Sequence, residues 1–263
     1  MIVDKINKYL TNGRIDTPEQ ILDDVSRMTR LMFDSQFGLP REEDNVLRLS
    51  AIGKCLRQLS YKSIGAPANG KKMDSRSYIT FYMGNATETA IIGLISLAGL
   101  KVVSTGDNQA IVEIKGIQGH PDGIVEVDGI RYLLEVKSMT SYGFADFEKG
   151  VIDESYKYQI NSYMAALGLD KCIVVALNKE AGVLGERVYE IDHTIVADIK
   201  RRIDFLSGFN PDNCTLPERP YKSNDDGFYP WQCLYCPYHV TCLPEAEKVL
   251  VGRAYKLKQK KGV

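Results

Sequence analysis

The stretch Gly119-His-Pro-Asp122-Gly-Ile-Val-Glu-Val-Asp128-Gly129-Ile-Arg-Tyr-Leu-Leu-Glu135-Val-Lys137 decides how the chain reads. Asp128-Gly129 stands between two apolar runs, the pattern of a two-residue hairpin turn. Such a turn sets the register. Val127 faces Ile130, Glu126 faces Arg131, Ile124 faces Leu133, and by the same count Asp122 faces Glu135. Val125, Val127, Ile130, Tyr132, Leu134 and Val136 then form one continuous apolar face for a core. On the other face Glu126 and Arg131 make a favourable cross-strand pair.

Deeper on that second face two carboxylates oppose each other, with Cβ atoms about 4.5–5.5 Å apart, which destabilises a sheet. A solvated polar face leaves this opposition unexplained, whereas a divalent cation between Asp122 and Glu135 removes the repulsion. Lys137, two residues beyond Glu135, points to the same side. Two carboxylates and a lysine on one strand pair suit metal-assisted phosphodiester hydrolysis. Mg²⁺ takes oxygen ligands while keeping some of its waters, and it polarises a phosphate and acidifies a bound water.

Working outward, the patterning alternates between helical and strand periods. Residues 1 to 35 read as helical and polar, a lid or interaction arm. Helices are expected over Val46–Tyr61, ended by the Gly65–Gly70 loop, and over Ser75–Leu97, stopped by Gly99. Gln109–Lys115, Gly123–Val127 and Ile130–Ser138 read as strands. A helix follows over Asp153–Leu167 with Gly168 as terminator, then strands at Ile173–Leu177 and Arg187–Ile191 and a helix over Thr194–Leu206. Residues 209–230 hold four prolines, one Gly and several Asn and Asp, and read as a long loop before a cysteine segment and a basic helical tail. The order predicts a mixed α/β core with a central sheet.

On the predicted Asp153–Leu167 helix, Gln159 and Tyr163 share one face, and Tyr156, Ile160, Met164 and Leu167 make a separate apolar stripe. Glu88 lines up with Ile92 and Ile95 at helical spacing, so its carboxylate sits on or beside an apolar face and needs a partner. Asp122, the hairpin and Glu135-Val136-Lys137 together resemble the core motif of the PD-(D/E)xK nuclease superfamily. More narrowly they resemble the RecB-type exonucleases, which include the CRISPR-associated iron–sulfur exonucleases and the AddB nuclease domain.

That resemblance implies a restriction-endonuclease-like sheet and a DNA exonuclease. It implies metal binding by Asp122, Glu135 and the Val136 carbonyl, with Lys137 catalytic. Gln159 and Tyr163 match the family's Q-x-x-x-Y motif beside the active site. Where the family carries a metal-binding His after G-x-x-x, this chain has Gly84-Asn-Ala-Thr-Glu88, and a carboxylate there suits Mg²⁺ or Mn²⁺. His120 is a further candidate ligand, weighed against a structural role.

Trp231-Gln-Cys233-Leu-Tyr-Cys236-Pro-Tyr-His-Val-Thr-Cys242 has metal-ligand spacing. A thiolate site normally wants four ligands, and Cys55 is the natural fourth. Its context Cys55-Leu-Arg57-Gln-Leu-Ser-Tyr61 resembles the segment that supplies the upstream ligand in the iron–sulfur nucleases. Cys172 reads as core and Cys214 as a substitute ligand. The spacing allows iron or zinc; the resemblance favours a [4Fe–4S] cluster, with Zn²⁺ as runner-up. Closing so long a loop would constrain the unfolded chain.

The domain reading is an N-terminal helical arm (1–45), a nuclease domain with its cysteine staple (46–247) and a basic tail (248–263). With 44% apolar and 25% charged residues the chain is neither disordered nor fibrous. No apolar run spans a bilayer, and the start lacks a signal-peptide pattern, so a cytoplasmic protein is expected. The net charge of −1 gives no global pull on DNA. Basic residues do cluster at Lys54, Arg57, Lys62, Lys71, Lys72 and Arg76, and at Lys248, Arg253, Lys256, Lys258, Lys260 and Lys261. These are solvated faces or a DNA track, and Lys54, Arg57 and Arg76 are the candidate DNA contacts. Expected partners are DNA and a helicase, recombinase or CRISPR-adaptation protein, with a homo-oligomer left open. The competing reading is a metal-stapled DNA-binding or assembly subunit without catalysis.

Overall fold

The structure, a computed structural model, describes residues 1–12, 16–38, 46–70, 74–105, 109–252 and 254–260. Lys71, Lys72, Arg253 and Lys261 lie outside the described residues. The chain divides into two compact units. The first takes in Met1–Asp44, Arg48–Gly53 and Ser75–Ile203; the second Asn45–Leu47, Lys54–Asp74 and Asp204–Val263.

The first unit is built on a five-stranded mixed sheet. Its strands are β1 (Val102–Val103), β4 (Gly123–Val127), β5 (Ile130–Met139), β6 (Lys171–Asn178) and β7 (Val183–Glu190), in the order β1-β4-β5-β6-β7. β5 and β6 run parallel and the other pairs antiparallel. The connection between the parallel pair passes through α5 (Ser141–Glu148) and α6 (Glu154–Leu167), as a parallel pairing requires a crossover. A separate small hairpin pairs β2 (Val112–Ile114) with β3 (Ile117–Gly119).

The Asp-Gly turn forms. Asp128 and Gly129 have φ of 52° and 79°, the positive values that a type I′ turn demands. The register follows: Val127 pairs with Ile130, Glu126 with Arg131 and Ile124 with Leu133. Val125, Val127, Leu134 and Val136 face a core with Ile173 and Val175. Ile91, Ile92 and Ile95 of α4 (Ser75–Leu97) and Ile2, Val3 and Ile6 of α1 (Ile2–Thr11) close over that face. β5 is central, so Leu133 to Val136 are buried in an unbroken run.

Four expectations need correction. Residues 1–45 are not all an arm: α1 is amphipathic, and its Ile2 and Ile6 are fully buried. The N-terminal backbone is also tied down, because Glu186 accepts the N–H groups of Ile2 (2.8 Å) and Val3 (3.2 Å). α2 (Glu19–Phe37) by contrast buries no residue. The single helix over Val46–Tyr61 is broken into a 3₁₀ turn at Leu49–Ala51 and α3 (Leu56–Ser63), with Gly53 between them. Gly53 packs so tightly on Tyr158 and Ser155 that a Cβ there would meet Tyr158 Cβ at 2.6 Å. The strand expected over Gln109–Lys115 is only three residues long, and Lys115-Gly116 turns it into β3.

The basic tail is not helical. β8 (Ala246–Val251) and β9 (Ala254–Gln259) pair antiparallel in the second unit. Leu257, Tyr255 and Val249 alternate with charged residues, and the period of two wins over lysine's helix propensity. The expected 46–247 and 248–263 division therefore gives way to a second unit that joins α3, α8 (Trp231–Leu234), α9 (His239–Cys242) and this hairpin. Residues 193–208 form α7 (His193–Gly208). Among the described residues no helix is long and apolar enough to cross a membrane.

Candidate active site

Asp122 lies at the start of β4, one residue before its first paired position. Gln109 holds the approach, donating from Nε2 to the Pro121 carbonyl at 2.9 Å. One oxygen of Asp122, Oδ2, accepts the Val136 N–H at 2.7 Å, so the carboxylate is fixed against the neighbouring strand. Burial raises Asp122 well above the ordinary carboxylate range, and the charges of Glu135 and Glu88 raise it further against the pull of Lys137.

Glu135 is fully buried in β5. Its Oε1 accepts from the Lys137 ammonium and from Gln159 Nε2, the latter at 2.8 Å. Its Oε2 is buried and has no hydrogen-bond partner. An unsatisfied buried carboxylate oxygen is costly, and the charge of Glu135 also acts on Asp122 and Glu88. Glu88, on α4, is raised to about 7 by burial and by Glu135, with Lys137 opposing. Burial works against the charge of Lys137, yet Glu135 and Asp122 hold its ammonium above its ordinary range.

α6 supplies the third wall. Asp153 caps it by accepting the Ser155 N–H at 2.8 Å, and Gly168 closes it at φ 64°. Gln159 and Tyr163 lie one turn apart on it. Tyr163 is buried, and its hydroxyl is pushed up to about 12 by burial and by Glu135 and Asp122, while Gln159 and the His120 backbone hydrogen-bond to it. Gly119 makes room for this ring: a Cβ there would lie 2.5 Å from Tyr163 Cε1. The His120 ring is exposed. Val136 turns its side chain into the core and its N–H to Asp122.

The structure thus brings Asp122, Glu135, Lys137, Glu88, Gln159 and Tyr163 into one electrostatic group. Tyr156 joins them, which the apolar-stripe reading missed. Its ring centroid is 4.8 Å from Lys137 Nζ, a cation–π distance. The signal was present in the sequence: Tyr156 precedes Gln159 by three and Tyr163 by seven, the spacing of one helix face. Arg76 is exposed on the first turn of α4.

The second unit holds the cysteines. Among the described residues all six are free thiols. Burial pushes Cys233 up to about 12 and Cys236 to about 11. Cys236, Cys242 and Cys55 add to the shift at Cys233, and Cys55 and Cys242 add to that at Cys236. Cys55 is therefore within electrostatic range of the C-terminal cysteines. Cys172 is buried in β6 and Cys214 lies in the 209–230 loop. Arg57 is held within this unit by the Pro217 carbonyl (2.8 Å) and the Tyr61 hydroxyl (3.3 Å). Lys54 is exposed, and its charge acts on Cys236.

Among the described residues, no three Cys, His, Asp or Glu side chains already stand arranged to hold a metal ion. The donor sets still fit metals by their chemistry. The unpartnered Glu135 Oε2, beside two further carboxylates, suits a hard divalent cation. Two thiols, Cys233 and Cys236, raised by burial and by the neighbouring cysteines suit a soft cationic centre, which favours the thiolate form.

No protein-family model matches the chain, and no curated protein matches it in sequence. Among solved structures, an alkaline exonuclease from Laribacter hongkongensis is 17% identical, covering 68% of this chain and 90% of that one, with a TM-score of 0.46. The same exonuclease in complex with dAMP is 16% identical, covering 70% and 89%, at a TM-score of 0.43. A phage-related exonuclease from Haemophilus somnus 129PT is 13% identical, covering 61% and 91%, at a TM-score of 0.42. Likenesses of this size leave the activity to be argued from the residues themselves.

Proposed function

We propose that the chain is a divalent-metal-dependent deoxyribonuclease that acts as an exonuclease of the RecB-like type. The observation that carries this reading is the buried Glu135. One of its oxygens is held by Lys137 and Gln159, and the other is unpartnered beside Asp122 and Glu88.

In this reading Glu88, Asp122, Glu135 and the Val136 carbonyl hold Mg²⁺ or Mn²⁺, with His120 as a further ligand. When bound, the ion supplies Lewis acidity and an acidified water. The chain's own residues do the rest. The Val136 N–H keeps Asp122 in place. Gln159 and Lys137 fix the rotamer of Glu135. Lys137 stays an ammonium between Glu135 and Tyr156, so it orients the attacking water and offsets charge growing on the phosphate rather than abstracting a proton. Tyr163 stays protonated and positions Gln159. DNA is gripped through its phosphates, with Lys54, Arg57 and Arg76 as candidate contacts.

We also propose that Cys55, Cys233, Cys236 and Cys242 hold a [4Fe–4S] cluster, Zn²⁺ being the alternative, as a structural staple within the second unit. Recombination, end-processing and spacer acquisition all accommodate such an enzyme, alongside a helicase, recombinase or adaptation partner.

Digestion of end-labelled linear single- and double-stranded DNA with Mg²⁺ and Mn²⁺ tests the activity. Wild type should shorten the label progressively, EDTA should stop it, and Lys137→Ala should cleave far more slowly. Equal behaviour of wild type and Lys137→Ala would return the chain to the non-catalytic DNA-binding reading.

A further inference from the structure

The second unit exposes aromatic rings beside a row of lysines, a combination the proposed cleavage chemistry does not use. Trp231 and Tyr235 are 60% and 65% exposed, with ring centroids 6.4 Å apart. They sit on α8 and the residue after it, and α8 packs beside β9. β9 runs Ala254-Tyr255-Lys256-Leu257-Lys258-Gln259. The strand period puts Leu257 inward, where it is buried, and Lys256 and Lys258 together on the opposite face.

Both ammonium groups lie over the Phe228 ring, at 5.2 Å and 4.7 Å. That ring holds the two charges side by side near an apolar surface. Lys260 extends the row, with its Nζ on the Pro244 carbonyl. Lys248 and the highly exposed Tyr255 lie on the same hairpin. The opposing charges nearby include Glu247, across from Lys258, and the exposed Asp225 and Asp226 just before Gly227 and Phe228; Glu245 is already engaged by Arg219 and Tyr229.

Two exposed rings this close together offer flat faces on which another ring can stack. Beside them the lysines select a polyanion, and a polyanion whose units also stack on rings is a single-stranded nucleic acid. We propose that this face of the second unit binds single-stranded DNA. Bases stack on Trp231 and Tyr235, and phosphates lie along Lys256 and Lys258. The choice of DNA over RNA rests on the nuclease reading; the stacking and charge geometry do not.

Trp231 is the chain's one tryptophan, so its emission reports directly on this face. Full-length Lys137→Ala protein in EDTA is titrated with a short oligodeoxythymidine, so cleavage plays no part. Saturable quenching of the tryptophan emission is expected. Tyr235→Ala should weaken binding about ten-fold. Lys256→Glu/Lys258→Glu should weaken it more, and should lower the slope of log affinity against log salt by about 1.4. Heparin, a polyanion without bases, should compete for the site yet leave the emission nearly unchanged.

Circular dichroism and cysteine-bound metal content confirm that each variant is folded. The proposal is overturned if saturating oligonucleotide leaves the emission unchanged, if the double lysine variant binds as wild type, or if heparin quenches as strongly as DNA. A chain that binds in this way but never cleaves in Mg²⁺ would sink the nuclease reading alone.

Discussion

The carboxylate group of the first unit and the cysteine group of the second both gather side chains that repel one another when ionised, yet they are held in opposite ways. Asp122, Glu135 and Lys137 sit on adjacent strands joined by a two-residue turn, and hydrogen bonds from Val136, Gln159 and Lys137 pin the acids. Regular elements with their own buried core carry this site, so its geometry persists when one functional atom is removed. Cys55, Cys233, Cys236 and Cys242 stand at helix edges and short one-turn elements. Little regular structure backs them. The difference teaches that the first group should fail in chemistry and the second in folding.

The largest expected effect tests the first half of that contrast. Lys137→Ala should reduce DNA cleavage by about 10²–10³-fold, the usual loss for one preorganised electrostatic group, while the variant still folds at a lowered melting temperature, since it leaves the buried acids without their cation. Gel assays beside circular dichroism check it. Loss of the folded spectrum would show that the acids need the lysine to fold, and the contrast would break.

The reciprocal test is Cys233→Ala. Wild type purified without oxygen should be brown and contain iron, and the variant should lose colour, iron and solubility together. Metal analysis decides it. Colourless wild type loaded with zinc would remove the iron assignment but keep the staple. A soluble, metal-free wild type with unchanged stability would remove the staple itself.

Gly119→Ala asks how tightly the first site is packed. A methyl there would press on Tyr163 and on Leu49 Cβ at 3.0 Å. Overpacking of this kind costs about 1–3 kcal/mol, and pushing Tyr163 should also displace Gln159 and lower kcat. A variant with full stability and activity would mean that the Tyr163 ring yields freely.

How much of this was legible in the sequence follows from how local each cause is. The hairpin register needed only Asp128-Gly129 and alternation, and the pairing of Val127 with Ile130 follows from them. The α6 boundaries were legible for the same reason, since Asp153 and Gly168 mark its ends. Tyr156 was misread because periodicity says which residues share a face but not what lies opposite, and Lys137 comes from another element. The tail was misread as a helix because lysines suggest one, while the hairpin depends on Phe228 and Tyr229 pairing with β9. The break at Gly53 has a similar origin. It is dictated by Tyr158, more than a hundred residues away in sequence.

The smallest effect concerns the outer side of the helix that carries Gln159. Tyr158, the residue before Gln159, donates to Asp198 Oδ2 at 2.7 Å, and Arg202 Nε donates to the same oxygen at 2.6 Å. Burial alone would raise Asp198, but these donors and the Arg202 charge hold it below its ordinary value. A carboxylate depressed in the folded state adds stability above its unfolded pKa, and that stability is lost as pH falls through the folded one. Asp198→Asn should therefore lower the melting temperature at pH 7 by an amount equivalent to about 1 kcal/mol. The gap from wild type should close as the pH drops below about 4. The absence of any gap at pH 7 would mean that Asn keeps the hydrogen bonds and that the charge contributes nothing. α6 would then be anchored by packing alone, and the first unit's rigidity would rest on its core rather than on this outer clasp.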